Sequence, residues 1–237
     1  MFLLVLSILT LESVHSIRFL YQHFLSGITT KSLNTFYHAC SYAKVDYSHF
    51  MNITAKVALR MIPDSLATQP IFLCVDDTMV AKAGTRFENV SKLFDHAAHN
   101  GSNYLNGHCF VSIMLCIPVW KNDRVSYLSL PLGYRMWQKK ESKLELAASM
   151  IRQVMPEFQE KKQVIILCDS WYTKQTLVSI VDEYQNLDLI GNARIDSVMY
   201  DPAPAHTGRR GRPAKHGKRL SVETDFAFSN ERSEITI

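Results

Sequence analysis

The sequence lacks several patterns that would assign it to a chemistry at once. It has no Cys-x-x-Cys spacing, and its five cysteines, Cys40, Cys74, Cys109, Cys116 and Cys168, form an odd set. That argues against a disulfide framework and against structural zinc. Four of the five sit in apolar, strand-like runs, as buried reduced thiols do, so a reducing cytosol is expected. No Gly-x-Gly-x-x-Gly or phosphate-loop pattern follows the first apolar strand. A nucleotide-binding α/β enzyme, in which an acid after a strand holds a ribose, therefore ranks low. There is no internal repeat, and long apolar runs are missing too. The N-terminal MFLLVLSILTL supplies about eleven residues of apolar core, short of the roughly 20 that span a bilayer. It has no Lys or Arg ahead of it and no small-residue cleavage site. Apolar positions continue through Val14, Ile17, Phe19, Leu20 and Phe24. A packed helix is the expectation there, ahead of a secretory or anchor segment or an accidental start inside a longer gene.

What is present is a chain of 237 residues, 47% of them hydrophobic, enough for one substantial core and a small flanking domain. A net charge of +4 is mildly basic and says little about partners until the charge is located.

Hydrophobic periodicity divides the chain into three regions. Residues 1–66 carry helical spacing, broken at Gly27 and resumed after Thr29, Thr30 and Ser32, which could cap a second helix; Pro63 and Pro70 close the region. Residues 67–194 alternate strands and helices. IFLCVDD (71–77) reads as a strand buried on both faces, and residues 82–106 as mostly loop. The runs 108–119 and 125–132 flank the turn-like Lys121-Asn122-Asp123 and read as an antiparallel hairpin. An amphipathic helix follows over 143–155, with Leu144, Ala147, Ala148, Ile151 and Met155 on one side. A strand over 164–169, a helix over 173–184 and a strand over 187–194 complete the order βββαβαβ, an α/β fold with a mixed sheet. Residues 195–237 turn to Pro, Gly, Arg and Lys and end in a polar tail.

Two apolar strands end in acids: Asp77 (or its neighbour Asp76) after the first and Asp169 after the fourth. Neighbouring strand ends of such a sheet open onto a crevice and can bring together carboxylates distant in sequence. Converging carboxylates make a hard-oxygen site suited to Mg²⁺ or Mn²⁺. Two such ions, roughly 4 Å apart, suit in-line displacement at phosphorus. Either aspartate alone is more simply a cap for the following turn; the pair, within this element order, favours the metal reading. Strand alternation sends Asp76 and Asp77 to opposite faces, and Asp77 is the expected ligand, with Thr78 as a supporting neighbour.

The second signal is TGRRGRPAKHGKR (207–219), where Arg209, Arg210, Arg212, Lys215, Lys218 and Arg219 crowd a Gly- and Pro-bearing loop. Such a segment can neutralise DNA phosphates or enter a minor groove; the alternative is a solvated or localisation-like run. His96, His99 and His108 lack cysteine partners at finger spacing and read as loop contacts or cleft lining in preference to zinc ligands. Trp171 and Tyr172, directly after Asp169, could stack on a base or pack the next helix.

Five segments together resemble a known family: VDDTMV (75–80), KLFDHAAHNGSNYLNGH (92–108), LPLGYRMW (130–137), ILCDSWY (166–172) and TGRRGRPAKHGKRL (207–220). They are similar to the DDE transposases of bacterial insertion sequences, in particular the IS-four-like group, from about Ile17 onward. The resemblance implies an RNase H-like core in which Asp77 and Asp169 bind two catalytic Mg²⁺ or Mn²⁺ ions. It implies a third ligand, a glutamate, on a helix after a β-rich insertion. It further implies cutting and joining of double-stranded DNA at transposon ends, in the bacterial cytoplasm at the nucleoid and not at a membrane, with dimerisation on the DNA left open. The chain departs from that pattern after Arg219: Glu223, Glu231 and Glu234 follow, but no long amphipathic helix. The expectation is therefore an incomplete C-terminal insertion, a missing third acid and an inactive fragment. A non-catalytic DNA-binding remnant that interferes with a full-length relative is the alternative.

Overall fold

The computed structural model describes residues 2–84, 86–94, 103–158, 162–193, 197–205, 214–221 and 224–225. The chain divides into two compact units between Tyr47 and Ser48.

The first unit is helical. Helix α1 (Phe2–Thr10) is followed by α2 (Ile17–Leu20), which widens into a π turn over Tyr21–Leu25 and closes as α3 (Ser26–Ile28). The chain thus stays helical through Gly27 and breaks at Thr29, whose backbone is extended. The α2 start is fixed by Ser16, whose Oγ accepts a hydrogen bond from the Phe19 amide at 3.1 Å. Helix α4 (Leu33–Tyr42) completes the unit, with Ser32 as its N-cap residue. Its core is small: Leu4, Leu20, Leu25 and Phe36 are buried together. Phe2, Val5, Ile8 and Leu9 of α1 remain exposed, and among the described residues no helix is long and apolar enough to cross a membrane.

The second unit opens at Ser48, one residue into α5 (Tyr47–Arg60), so this helix of the region read as 1–66 contributes Met51, Ala55 and Ala58 to the sheet's core. The sheet contains β1 (Ile71–Ala81), β2 (Ser91–Phe94), β3 (Tyr104–Lys121), β4 (Arg124–Met136), β5 (Val164–Cys168) and β6 (Leu187–Gly191). Strand order is β2-β3-β1-β5-β6, with β4 also paired to β3. Strands β1, β2 and β4 lie antiparallel to β3, while β5 runs parallel to β1 and β6 parallel to β5. A meander followed by helix-connected parallel strands is the RNase H-like arrangement expected from the sequence.

Local chemistry explains the elements. Asn122 and Asp123 have φ of 51° and 58°, the left-handed pair that a two-residue turn requires, and join β3 to β4 through the pair Lys121–Arg124. Helix α6 (Lys143–Val154) begins in a capping box: the Glu145 amide donates to Ser142 Oγ at 3.1 Å, and the Ser142 amide to Glu145 Oε2 at 2.7 Å. Its apolar stripe, including Ala147, Ala148, Met150 and Ile151, packs with Ile71, Leu73, Val75, Val111, Ile113, Val164 and Ile166. Each large aliphatic side chain so buried contributes roughly 1.5–3 kcal/mol.

The structure revises several boundaries. β1 does not end at Asp77 but continues to Ala81, because β3 starts at Tyr104 and pairs with it along that length. Within the stretch read as mostly loop, β2 pairs Ser91–Phe94 with Tyr104–Gly107. β4 extends to Met136. The helix expected over 173–184 is one α turn, α7 (Gln175–Val178), followed by a 3₁₀ segment over Ser179–Glu183. β6 stops at Gly191, and a separate antiparallel pair, β7 (Met199–Tyr200) with β8 (Arg219–Leu220), forms beyond it.

Candidate active site

The crevice arises from unequal strand lengths. β1 and β5 run parallel only as far as Val75 and Cys168, after which β5 stops and β1 continues against β3. Asp169 immediately follows the end of β5, and Asp77 lies two residues beyond the last parallel pair of β1. Both line one cleft of about 320 Å³, together with Met79, Lys92, Phe94, Trp137, Lys143 and Trp171. Asp77 shares the sheet face of Leu73 and Val75, which carries α6, whereas Asp76 and Thr78 alternate to the other face and are exposed. Asp76 Oδ1 accepts the Asp77 amide at 2.7 Å. Thr78 therefore does not stand beside Asp77 as its support.

Three donors hold the Asp77 carboxylate. Oδ1 accepts from the Tyr172 hydroxyl at 3.2 Å; Oδ2 accepts from Lys143 Nζ at 2.7 Å and from the Cys109 thiol at 3.2 Å. Asp169 Oδ1 accepts the amides of Trp171 and Tyr172 at 3.0 and 3.2 Å. The turn-capping role and the place in the cleft thus coincide in one residue. Tyr172 is fully buried and ties the two acids together, its amide on one and its hydroxyl on the other. Burial, then the Asp77 charge and hydrogen bond, hold its phenol well above the ordinary tyrosine range. Burial and the hydrogen bond to Asp77 push the Cys109 thiol up to about 11. For Lys143 burial works to lower the pKa, but the hydrogen bond and charge of Asp77, with Cys109, outweigh it and hold the ammonium above its usual value.

Lys143 is the participant that motif reading missed. Its side chain is 20% exposed and that of Asp77 18%, so the pair is shielded from water. A signal existed: a cation at the first position of a helix opposes the macrodipole, and such a residue calls for an acid close by. Lys143 Nζ also lies 5.2 Å from the centre of the Trp171 ring, and Lys174 Nζ lies 4.9 Å from it. Of the aromatic pair, then, Tyr172 packs inside and Trp171, 37% exposed, faces the cleft.

The remaining sequence candidates are only partly visible. Arg209, Arg210 and Arg212 lie outside the described residues, as do His96, His99, Glu223, Glu231 and Glu234. Lys215 is exposed; Lys218 pairs with Asp225 at 3.0 Å, and Arg219 lies in β8. His108 Nε2 is 2.8 Å from the backbone oxygen of Glu88. Among the described residues no group of three or more His, Cys, Asp or Glu side chains is placed to hold a metal ion.

Residues 25–231 match the profile of the family described as DDE superfamily endonuclease, and the chain belongs to that family. Among solved structures it is similar to the Drosophila P element transposase strand transfer complex, with a TM-score of 0.38 and 10% identity over 80% of this chain and 40% of that one. It is also similar to the Mos1 strand transfer complex, with a TM-score of 0.27 and 12% identity over 82% of this chain and 58% of that one. A Mos1 mariner paired-end complex with Mn gives a TM-score of 0.27 and 12% identity, over 81% and 59%. The chain thus spans about half the length of the structures it matches. No curated protein matches the sequence.

Proposed function

We propose that this chain carries the catalytic core of a DDE transposase of the IS-four-like group, an enzyme that cuts and joins DNA strands at transposon ends. The observation that carries the reading is the convergence of Asp77 and Asp169 on one cleft at the open end of β1 and β5. Their donor set fits the expected cofactor: two carboxylates, with no histidine or cysteine among the described residues that line the cleft, suit Mg²⁺ or Mn²⁺. On this reading Asp77 and Asp169 are two of three acidic ligands and would hold two ions in the complete site. Held by Asp77 and Asp169, such ions would supply charge neutralisation at phosphorus and activation of the attacking oxygen.

The chain's own residues prepare that site. The Trp171 and Tyr172 amides fix the rotamer of Asp169, and the Tyr172 hydroxyl fixes Asp77 from beneath. Lys92 and Lys143 give the cleft positive walls for a phosphate backbone, and Trp171 offers an aromatic face for a base. Arg209, Arg210, Arg212, Lys215, Lys218 and Arg219 would add sequence-independent DNA affinity at the start of the β-rich insertion, read as 195–237. Pairing of β7 with β8 supports that placement.

Mn²⁺-stimulated nicking of supercoiled plasmid tests the reading. Nicking by the wild-type chain that is abolished by Asp77→Ala and by Asp169→Ala supports it. DNA binding without nicking, unchanged by either substitution, supports instead the non-catalytic remnant that competes for a full-length relative's DNA ends.

A further inference from the structure

The Lys143–Asp77 ion pair has a consequence for how the cleft is loaded. Lys143 Nζ sits 2.7 Å from Oδ2 of the carboxylate assigned above to a divalent ion. A dication on the same carboxylate and an ammonium in that position would stand a few ångströms apart with little water between them, and like charges so placed repel strongly. The pair is shielded, so this repulsion is not screened away as it would be at the surface. Lys143 need not leave the cleft to give up Asp77: its side chain starts at the first turn of α6, lines the cleft and lies over the Trp171 ring, 5.2 Å from its centre, while still paired with Asp77.

We propose that Lys143 is a built-in counter-ion that occupies Asp77 while the cleft is empty of metal. Metal binding displaces it, and it then becomes a phosphate-binding cation for the DNA strand. The exchange rests on the metal reading of Asp77 and Asp169 and extends it: an empty cleft presents one cation fewer to DNA than a loaded one. DNA affinity and metal occupancy are coupled through a single side chain.

Two measurements on the full chain test this. In Mn²⁺ titrations followed by the electron spin resonance of free Mn²⁺, Lys143→Met should bind about tenfold more tightly than wild type, since each 1.4 kcal/mol of lost competition is one decade. Lys143→Arg, which keeps the charge, should bind as wild type does. In binding of a short DNA duplex with Ca²⁺ as a non-reactive ion, Lys143→Met should flatten the slope of log affinity against log salt by about one phosphate contact. Without metal the two slopes should coincide. A structural role for Lys143 would not produce that metal-dependent difference. Unchanged or weaker Mn²⁺ affinity in Lys143→Met, with loss of binding in Asp77→Asn, overturns the exchange alone. Wild-type Mn²⁺ affinity in Asp77→Asn overturns the site reading and the exchange with it.

Discussion

The hydroxyl of Tyr172 donates to Asp77 from inside the core, 3.2 Å from Oδ1, so the position of one cleft acid is set by a fully buried ring. Tyr172→Phe keeps the ring and removes the hydrogen bond. It should cost about 1.5 kcal/mol, typical of a bond to a charged acceptor, and urea unfolding reads the loss. Tyr172→Ala should cost about 3–5 kcal/mol through the cavity it leaves.

Gly107 is caught between two strands, paired with Ala81 on one side and Ser91 on the other. A Cβ there would stand 2.4 Å from the Val80 carbonyl oxygen, a backbone atom that cannot step aside. Gly107→Ala should destabilise by about 1–3 kcal/mol. Differential scanning calorimetry should show a lower Tm, with Lys92 and Phe94 on β2 displaced from the cleft; an unchanged Tm contradicts the register.

Burial and the nearby acids hold the thiols of Cys109 and Cys168 up, each from 9.0 to about 11. A group with a raised folded pKa contributes stability that is whole below its unfolded value and lost as pH climbs through the folded one. The urea midpoint should therefore fall as pH rises from about 9 to about 11. Cys109→Ala should flatten that fall. Tyr172, also raised, adds its own loss from pH 10 upward.

The capping box sets how α6 presents Lys143. Ser142→Ala should cost about 1 kcal/mol of stability. The Ser142 backbone amide, then its hydroxyl, hold Glu145 below the usual carboxylate range. This contribution is present above that range and fades as pH falls through the lowered value, so the Ser142→Ala deficit should shrink in acid, as measured by thermal unfolding at a series of pH values.

Much of this fold was legible because local rules and tertiary packing agree. The run 71–75 is apolar on both faces because each face of β1 is covered, Leu73 and Val75 by the α6 side and Phe72 by Tyr127 on the other, and Asn122-Asp123 form the turn that joins β3 to β4. The four-residue β2 was not legible, since SKLF is too short to show a period and owes its strand to the length of β3. The end of β1 was misplaced for a related reason: Asp76 and Asp77 look like a terminus, but β3 supplies partners as far as Ala81. In the cleft, the two acids were legible as the polar ends of apolar runs. The tie from Lys143 to Asp77 was legible only by half: a cation at the start of α6 calls for an acid, but nothing local says which, because the partner lies 66 residues away.

The central claim is that Asp77 and Asp169 bind the same divalent ions. Anomalous diffraction from crystals soaked in Mn²⁺ tests it most directly. The account predicts Mn²⁺ density in contact with both carboxylates in wild type and its loss in Asp77→Asn and in Asp169→Asn. Density that touches neither acid, or that persists in both variants, would contradict it.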